Sequence, residues 1–488
     1  MGAVPRSGST RGDTIAAVAT APGRGALAVV RLSGPATREI ARRLGVTGEL
    51  IPRRATRVTL TEPVAPPEGA ARGNPARPAP PTASRRLDEA LATWFPAPHS
   101  PTGEDVLELS VHGGSYVSAL VLAALMTAGA RPALAGEFTE RAVRNGKLDL
   151  LQAEAVADVI EARSRATHRT ALRQLSGTLS RRLEALRDAL LEVEALIAYE
   201  IDFPEEDDGP PPRARVIAAA DAVSVALRAL GATLPAAELA RDGVTVVLAG
   251  APNAGKSSLL NALVGDARAI VSEVPGTTRD AIEVVIDADP LPLRLVDTAG
   301  LRESTDLLER LGLEVSARWL ARAQVVLVCG ENAAALRAAA EAVGAAGAGR
   351  QILVHTKSDL VTQHTGNTTP SGTAKVSSHT IPGAIAVSAE TGEGLDALRA
   401  AIATVVREVY PEPADDEPVV TRARHAVALA AARTEVEAFR DAWAADALPA
   451  PVAATHLRAA IHALDELTGA IDIEDVLERV FRAFCIGK

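Results

Sequence analysis

The chain has 488 residues, a length typical of about two to four domains rather than of a single hydrophobic core. Its net charge of −10 excludes a globally basic nucleic-acid binder, so any nucleic acid must be held by a local patch or a second protein. Two cysteines, Cys329 and Cys485, exclude a disulfide framework and favour a reducing, cytoplasmic location.

The pattern of predicted strands and helices in the N-terminal part indicates an α+β domain over residues 1–148. Residues 1–11 lack the apolar core of a signal peptide, and the apolar run 117–128 is too short to span a membrane, so we expect no membrane association. Residues 14–33, 88–98 and 104–114 predict strands, and residues 36–44 and 115–128 predict helices. Residues 62–84 are rich in Pro, Ala and Arg and predict a flexible insertion.

Two helical segments follow, separated by a region of a different pattern. Apolar residues spaced by three and four predict one helix face: Leu172, Leu175, Leu179, Leu183, Leu186, Leu190, Val193 and Ile197. An acidic, proline-rich breaker precedes a further helix at 213–231. We assign 149–240 to the first part of a helical-bundle domain and 405–488 to its second part, with residues 241–404 inserted between them.

The inserted region predicts a parallel α/β sheet, because short apolar strands alternate with helical stretches. Five segments read as strand ends: VTVVLAG, LPLRLVDTAG, AQVVLVCG, QILVHTKSD and AIAVSAE. Directly after the first comes GAPNAGKS, residues 250–257, which matches the phosphate-binding pattern G-x-x-x-x-G-K-[ST] in its expected strand-to-helix position. The backbone of such a loop cradles phosphates, Lys256 can reach them as a point charge, and Ser257 can bind Mg²⁺.

Further polar motifs end the later strands in the order of a GTP-hydrolysing domain. Asp297 of DTAG suits a water-mediated contact to Mg²⁺, and Thr278 of GTTRD is a candidate for its second hydroxyl ligand. Asp359 of TKSD can accept two N–H donors from guanine, an edge that adenine does not offer. The stretch SAE, Ser388 to Glu390, ends the last strand, where a backbone N–H could meet the guanine oxygen.

The predicted GTP site is therefore extensive and has a P-loop GTPase fold of the Ras-like α/β type. We assign to GTP binding Asn253, Ala254, Gly255, Lys256, Ser257, Ser258, Ser272, Glu273, Val274, Pro275, Gly276, Thr277, Thr278, Asp297, Thr298, Ala299, Gly300, Thr356, Lys357, Ser358, Asp359, Ser388, Ala389 and Glu390. Leu301 follows DTAG, where Ras-like enzymes carry a water-orienting glutamine, so another group must place the attacking water.

Across nearly its whole length the chain resembles the MnmE (TrmE) family of tRNA-modification GTPases. The resemblance rests on GRGALAVVRLSG, TGEDVLELSVHGG, the stretch from GEFTERAVRNGK onwards, the inserted GTPase region and the terminal CIGK. It implies a GTPase that requires K⁺ for fast turnover, with K⁺ ligands at Asn253, Ser272, Val274 and Thr277. It also implies that Glu309 positions the water, which makes Glu309, Lys256 and Asn253 the expected catalytic residues.

The resemblance further implies an N-terminal domain that forms the homodimer and binds 5-formyl- or 5,10-methylene-tetrahydrofolate. The folate-contacting positions correspond to Arg31, Glu108, Lys147 and Lys488. Four of the five lysines lie in the motifs described so far, and only Lys375 lies outside them, which suggests that those sites need a compact ammonium group.

The family acts with an FAD-dependent partner, MnmG, in a heterotetramer that holds the tRNA largely through the partner. The implied reaction adds an aminomethyl or carboxymethylaminomethyl group to C5 of the wobble uridine of certain tRNAs. Cys485 is a candidate nucleophile toward uridine, and its alternative role is to pack or to line the folate site. One other interpretation remains, a GTP-regulated RNA or ribosome assembly factor without chemistry on RNA. A scaffold with a degenerate nucleotide site conflicts with the intact Lys256, Ser257, Asp297 and Asp359.

Overall fold

The computed structural model describes residues 12–63, 85–162, 164–202, 212–265, 282–297, 318–345, 347, 349–363, 381–409, 417–469 and 487. The chain divides into two units, one made of Met1–Ala157 with Asp465–Lys488 and the other of Asp158–Leu464. The domain boundaries predicted at residues 148, 240 and 404 stay predictions.

The first unit is built on a six-stranded sheet with helices against it. Its strands are β1 (Ile15–Val18), β2 (Leu27–Ser33), β3 (Thr56–Thr61), β4 (Arg86–Phe95), β5 (Val106–His112) and β6 (Arg131–Pro132), in the order β3-β4-β5-β2-β1-β6. Neighbouring strands are antiparallel except for the pair β1 and β6, which is parallel. The helices are α1 (Thr37–Arg43), α2 (Ser115–Thr127) and α3 (Glu137–Arg144).

The alternation of residues along the strands gives this sheet two different faces. Val30, Leu32, Leu107 and Leu109 are fully buried and share one core with residues of α1 and α2. The residues between them, Arg31 and Glu108 among them, point to the other face.

Two backbone contacts tie distant parts of the first unit together. The Glu62 N–H donates a 2.8 Å hydrogen bond to the Arg85 carbonyl, which brings the two sides of the predicted insertion together; residues 64–84 lie outside the described residues. Gly487 is buried with φ +97°, and a Cβ placed on it would lie 2.3 Å from the Val18 carbonyl oxygen. Only glycine therefore fits against the end of β1 at this position.

The second unit combines helices with a second six-stranded sheet. After α4 (Leu150–Glu161), the helices are α5 (Arg165–Leu175), α6 (Thr178–Asp202), α7 (Arg213–Gly231), α8 (Leu234–Asp242), α9 (Lys256–Gly265), α10 (Ala333–Ala345), α11 (Ser358–Gln363), α12 (Leu395–Val409), α13 (Ala423–Ala444) and α14 (Ala450–Thr468). The strands are β7 (Val244–Gly250), β8 (Ile282–Ile286), β9 (Leu293–Asp297), β10 (Val325–Gly330), β11 (Arg350–Thr356) and β12 (Ala384–Val387).

The single apolar helix face predicted from Leu172 to Ile197 is wrong at its start. Helix α5 ends at Leu175, and Gly177 adopts the left-handed φ of +78° before α6 begins. Leu172 is 44% exposed, whereas Leu179 and the later members of the stripe are buried. The apolar spacing continued across the break, so periodicity alone could not reveal it; Gly177 was the available signal.

Helix α7 covers the predicted range 213–231 and packs along α13. Within the described residues, 213–242 is the one stretch long and apolar enough to cross a membrane by length and hydropathy. In the structure α7 buries Val216, Ala220, Val223 and Leu227, and its Ser224 hydroxyl donates to the Glu437 carboxylate at 2.9 Å. These contacts are those of a core helix in a helical bundle.

The second sheet has the order β12-β11-β10-β7-β9-β8, with β7 near its centre. Strands β12, β11, β10, β7 and β9 are parallel, as predicted, and their carboxyl ends share one edge. The prediction missed β8, an edge strand that runs antiparallel to β9. In such sheets ligands bind at the carboxyl edge where the strand order reverses, which here is the end of β7.

Candidate functional site

The loop between β7 and α9 is held by close backbone contacts. Gly250 has φ +151°, and a Cβ on it would lie 2.3 Å from the Cys329 carbonyl oxygen of β10. Asn253 and Gly255 adopt left-handed φ values of +63° and +77°. A Cβ on Gly255 would only be in ordinary van der Waals contact, 3.6 Å from the Thr356 side chain, so glycine is favoured there by its left-handed φ and not by crowding.

Lys256 begins α9 and lies largely inside this loop. Its side chain is 5% exposed, and Nζ donates hydrogen bonds to the carbonyls of Gly250 at 3.0 Å and Ala251 at 2.8 Å. The ammonium is therefore fixed by the same turn that would surround the phosphates.

Ser257 and Asp297 bring two oxygen donors together from different elements. The Ser257 hydroxyl donates a 2.5 Å hydrogen bond to Asp297 Oδ2, and Asp297 is fully buried at the end of β9. Hydroxyl and carboxylate oxygens are the donors that Mg²⁺ prefers, so these residues fit the ion predicted for them.

The end of β11 is joined to the phosphate loop. The Thr356 hydroxyl donates a buried 2.8 Å hydrogen bond to the Ala254 carbonyl. Lys357 adopts φ +57°, its stem lies over Gly255, and its ammonium forms an ion pair with Glu331. Glu331, which the sequence analysis did not select, also accepts a 3.0 Å hydrogen bond from His355 Nε2 through its carbonyl.

A cavity of about 250 Å³ opens beside this junction. Seven of its lining residues were assigned to GTP from the sequence: Gly255, Ser258, Thr356, Lys357, Asp359, Ala389 and Glu390. Three apolar residues complete it and were missed: Leu259, Leu360 and Val387. A slot with apolar walls and a carboxylate from Asp359 matches the needs of a flat base that presents two N–H donors; Glu390 is the second carboxylate in the lining.

Ser388 does not line this cavity, but its hydrogen bonds fix the loop that follows β12 beside the cavity. It is fully buried, its N–H donates to the Glu393 carbonyl at 3.0 Å, and its hydroxyl accepts from the Thr391 N–H. The backbone N–H of Ser388 is therefore already engaged, whereas Ala389 and Glu390 of the same SAE stretch line the cavity.

Several predicted site residues lie outside the described residues. They are Ser272, Glu273, Val274, Pro275, Gly276, Thr277, Thr278, Thr298, Ala299, Gly300, Glu309, Cys485 and Lys488. Leu301, which follows DTAG, also lies outside the described residues.

Of the four predicted folate-contacting residues, three are described. Arg31 and Glu108 face each other across β2 and β5 and form a 2.8 Å ion pair with side chains about one-quarter exposed. The guanidinium carbon of Arg31 lies 5.5 Å from the centre of the Phe138 ring on α3. Lys147 follows the end of α3.

Cys329 lies next to the phosphate loop on β10 and is buried. Burial, together with the Asp297 carboxylate, raises the pKa of its thiol to about 12 despite the opposing effect of Lys256. A thiol held in its protonated form is a packing group, not a nucleophile.

Comparison with known proteins extends these observations to the whole chain. Residues 14–147 match the model of the GTP-binding protein TrmE N-terminus, and residues 150–485 match that of the MnmE helical domain. The tRNA modification GTPase MnmE of Laribacter hongkongensis is 41% identical over 98% of this chain and 99% of that protein. The same-named protein of Rhodospirillum rubrum is 42% identical over 98% and 99%.

A solved structure, that of the G domain of the T. maritima FeoB iron transporter, is 25% identical over 33% of this chain and 98% of that chain, with a TM-score of 0.24. The family assignment rests on the two family models and the full-length relatives, and not on this structural likeness. With its phosphate loop, its magnesium donors and its base pocket on one sheet edge, the chain belongs to the MnmE family of tRNA-modification GTPases: it binds GTP and Mg²⁺ and hydrolyses GTP in tRNA modification.

Proposed function

We propose that this GTPase acts with an FAD-dependent partner, MnmG, to add an aminomethyl or carboxymethylaminomethyl group to C5 of the wobble uridine of certain tRNAs. The one-carbon unit comes from 5,10-methylene-tetrahydrofolate, or its 5-formyl form, bound by the N-terminal part. The protein works as a cytoplasmic homodimer that forms a heterotetramer with MnmG, and the partner holds most of the tRNA. The net charge of −10 supports a tRNA held mainly by the partner, because this chain has no overall electrostatic attraction for the phosphates of the tRNA backbone.

The observation that carries the proposal is the Arg31–Glu108 pair. A carboxylate held by a guanidinium on a quarter-exposed sheet face can accept two N–H donors from an aminopyrimidinone ring, the ring edge that a folate presents. The Phe138 ring lies over the same guanidinium and adds an aromatic surface for a flat ligand. Lys147 and Lys488 complete the proposed folate contacts.

Potassium is proposed as the second cation of the GTP site. Asn253 adopts the left-handed backbone conformation at the outer turn of the phosphate loop, where its side chain amide supplies an oxygen donor. Ser272, Val274 and Thr277 would supply the other ligands. A monovalent cation there stabilises the charge that develops on the phosphates, the task of an arginine finger in other GTPases.

The experiment for the tRNA chemistry is reconstitution with purified MnmG, unmodified tRNA, GTP and tetrahydrofolate carrying an isotope-labelled methylene group. We expect the label at C5 of the wobble uridine, and Glu108→Gln should lower its incorporation by about tenfold or more, since it removes a charged acceptor. The control is Glu89→Gln, at a half-buried carboxylate on the neighbouring strand β4 that pairs with Arg57 and Arg86. Modified uridine without label would contradict folate as the donor, and no modification at all would favour an assembly factor.

The cation and the water-positioning residue are tested by GTP turnover. We expect hydrolysis to be faster in K⁺ than in Na⁺ by about a hundredfold, the scale of one transition-state charge contact. Glu309→Ala should lower turnover while leaving GTP affinity nearly unchanged. Equal rates in both salts would remove potassium from the mechanism, and unchanged turnover in the variant would remove Glu309.

A further inference from the structure

A second cavity lies in the first unit, away from the GTP site. It measures about 400 Å³ and is lined by Arg53, Phe95, His99, Ser100, Pro101 and Lys147. All six are described residues, none of them is an aspartate or a glutamate, and two carry a permanent positive charge. We call this cavity the basic pocket.

Arg53 is aimed at the loop that follows β4. It adopts the left-handed φ of +61°, a conformation that costs a non-glycine residue free energy and is found where surrounding contacts enforce it. Its N–H donates a 2.8 Å hydrogen bond to the Trp94 carbonyl, and its guanidinium donates a 3.0 Å bond to the His99 carbonyl. The side chain is thus fixed beside His99 with further N–H donors left for a ligand.

Lys147 is placed on the other side of the pocket by the end of α3. Gly146 is left-handed at φ +65°, and the Lys147 N–H closes the helix by donating a 2.8 Å bond to the Ala142 carbonyl. A Cβ on Gly103 would lie 3.3 Å from Lys147 Cγ and 2.8 Å from Asn145 Cβ. The loop can approach the lysine stem closely only because residue 103 is glycine.

The floor of the pocket contains an unpartnered polar group. Ser100 is 5% exposed, and its hydroxyl has no hydrogen-bond partner among the residues that the structure describes. A buried hydroxyl without a partner costs free energy, and the oxygen is closed off from solvent behind the pocket wall, so only a rearranged loop would bring it to a ligand.

The basic pocket continues the proposed folate site along one face of the sheet. Thr93 of β4 is opposite Glu108 of β5, and Phe95 lies two residues further on the same face. Diagonal neighbours of this kind are about 7–8 Å apart, so the Phe95 wall of the pocket is next to the Arg31–Glu108 pair. Lys147 lies at the end of α3, the helix whose Phe138 lies over that pair.

We propose that the basic pocket binds the glutamate carboxylates of the folate tail, an inference that rests on the proposed folate function. A folate has two chemically different ends: a flat ring with N–H donors and a flexible tail whose charge is carried by carboxylates. The Arg31–Glu108 pair suits the ring, and Arg53 and Lys147 suit the tail, with His99 as a further hydrogen-bonding group. Each additional γ-linked glutamate adds a carboxylate, so the pocket should select folates with several glutamates.

The test compares three ligands by calorimetric titration of the full chain: tetrahydropteroate, which lacks glutamate, and the mono- and triglutamate forms of 5-formyl-tetrahydrofolate. We expect affinity to rise in that order. Arg53→Asn removes the guanidinium, and asparagine tolerates the left-handed backbone. It should weaken binding of the two glutamate forms by about tenfold to a hundredfold and leave tetrahydropteroate unchanged.

Two further variants keep the test specific. Arg54→Asn removes the adjacent arginine, whose side chain does not line the pocket, and should bind all three ligands as the wild type does. His99→Gln should reduce the gain from glutamate without affecting tetrahydropteroate, and it reports on the pocket independently of the strained residue 53.

The outcomes separate the inference from the function on which it rests. If the wild type binds none of the three ligands, the folate function itself is wrong. If it binds all three equally, or if Arg53→Asn weakens all three equally, the folate function stands and the tail pocket is wrong. Displacement of the triglutamate form, but not of tetrahydropteroate, by inorganic phosphate or a short single-stranded RNA would also overturn the inference, since it would assign the pocket to phosphates.

Discussion

The Thr356 hydroxyl, at the end of β11, is hydrogen-bonded at 2.8 Å to the carbonyl of Ala254 in the phosphate loop. Two loops separated by about a hundred residues in sequence, one for the base and one for the phosphates, are thereby held in a fixed spacing. Their distance is set by the protein before any nucleotide arrives, which reduces the ordering needed on binding.

Thr356→Val removes this hydroxyl while keeping the side-chain volume. We expect a loss of about 1–3 kcal/mol in unfolding free energy, because a buried carbonyl loses its donor, and weaker binding of guanine nucleotides. Urea unfolding and titration with a fluorescent GDP analogue measure the two effects. Thr356→Ser retains the hydroxyl and should behave nearly as the wild type; equal losses in both variants would show that the methyl group, not the hydrogen bond, matters.

Asp359→Asn should change the preferred base. The carboxylate lines the cavity of about 250 Å³ and can accept both N–H donors of guanine, whereas an amide presents one donor and one acceptor. We expect GTP affinity to fall by about a hundredfold or more and XTP, whose ring carries a carbonyl in place of the amino group, to bind better than GTP.

The matched control is Asp396→Asn, a fully exposed carboxylate on α12 whose ion pair is with Arg399. It should alter neither affinity. Unchanged GTP preference in Asp359→Asn would place the base elsewhere than in this cavity.

Gly250→Ala tests the close approach of β7 to β10. The added Cβ would lie 2.3 Å from the Cys329 carbonyl oxygen and would require an unfavourable φ of +151°. We expect destabilisation of about 3 kcal/mol or more, as in overpacked cores. In Gly231→Ala, at the end of α7, the Cβ meets no atom within 4 Å, and the change should be neutral or stabilising by up to about 1 kcal/mol. Similar urea midpoints for the two variants would contradict the geometry.

Glu137→Gln tests a buried charge network in the first unit. Glu137 is 2% exposed and accepts hydrogen bonds from Arg131 at 2.5 Å and Arg141 at 3.0 Å, and Asp13 binds the same two arginines. Burial alone would raise the pKa of the Glu137 carboxyl, but the hydrogen bonds from Arg131, the Leu134 N–H and Arg141 lower it below its usual value. Removing this charge should cost about 3 kcal/mol at neutral pH.

The pH dependence of that cost follows from the direction of the shift. A carboxyl with a lowered folded-state pKa stabilises the protein above its unfolded pKa of about 4.3, and this contribution is lost as the pH falls through the folded value. The difference in unfolding free energy between wild type and Glu137→Gln should therefore be largest near pH 7 and shrink in acid. Glu140→Gln, on the same helix with an exposed partner in Arg144, should cost less than about 0.5 kcal/mol. A pH-independent difference would contradict the ionic origin.

The parts of the fold that the sequence could predict are those with a local signal. The phosphate loop combines a strand, two glycines and a lysine within a few residues, and Thr356 to Asp359 follow a buried strand directly, so both could be located by pattern. The helix break at Gly177 was missed because the apolar spacing continues across it. The antiparallel strand β8 was missed because its formation depends on pairing with β9.

The site residues that escaped prediction are those that act through other parts of the chain. Glu331 matters because β10 and β11 are neighbours, which brings it to Lys357 and His355. The basic pocket joins Arg53 and His99, which lie in no motif, to Lys147, which the family resemblance already assigns to folate. Three apolar residues of the base cavity could not be recognised from their residue type alone, because apolar residues are common in every core. Only the cavity that they line together shows their role: Leu259, Leu360 and Val387.

The tight fit of Gly487 beneath the Val18 carbonyl has a consequence for biosynthesis. The ribosome makes β1 early and Gly487 only after most of the chain, a delay of roughly half a minute to a minute and a half at ordinary translation rates. Throughout that interval the end of β1 lacks its packing neighbour. The domain that begins first is therefore completed last, and a nascent polypeptide interrupted before residue 487 leaves it unfinished, exposed to chaperones and proteases.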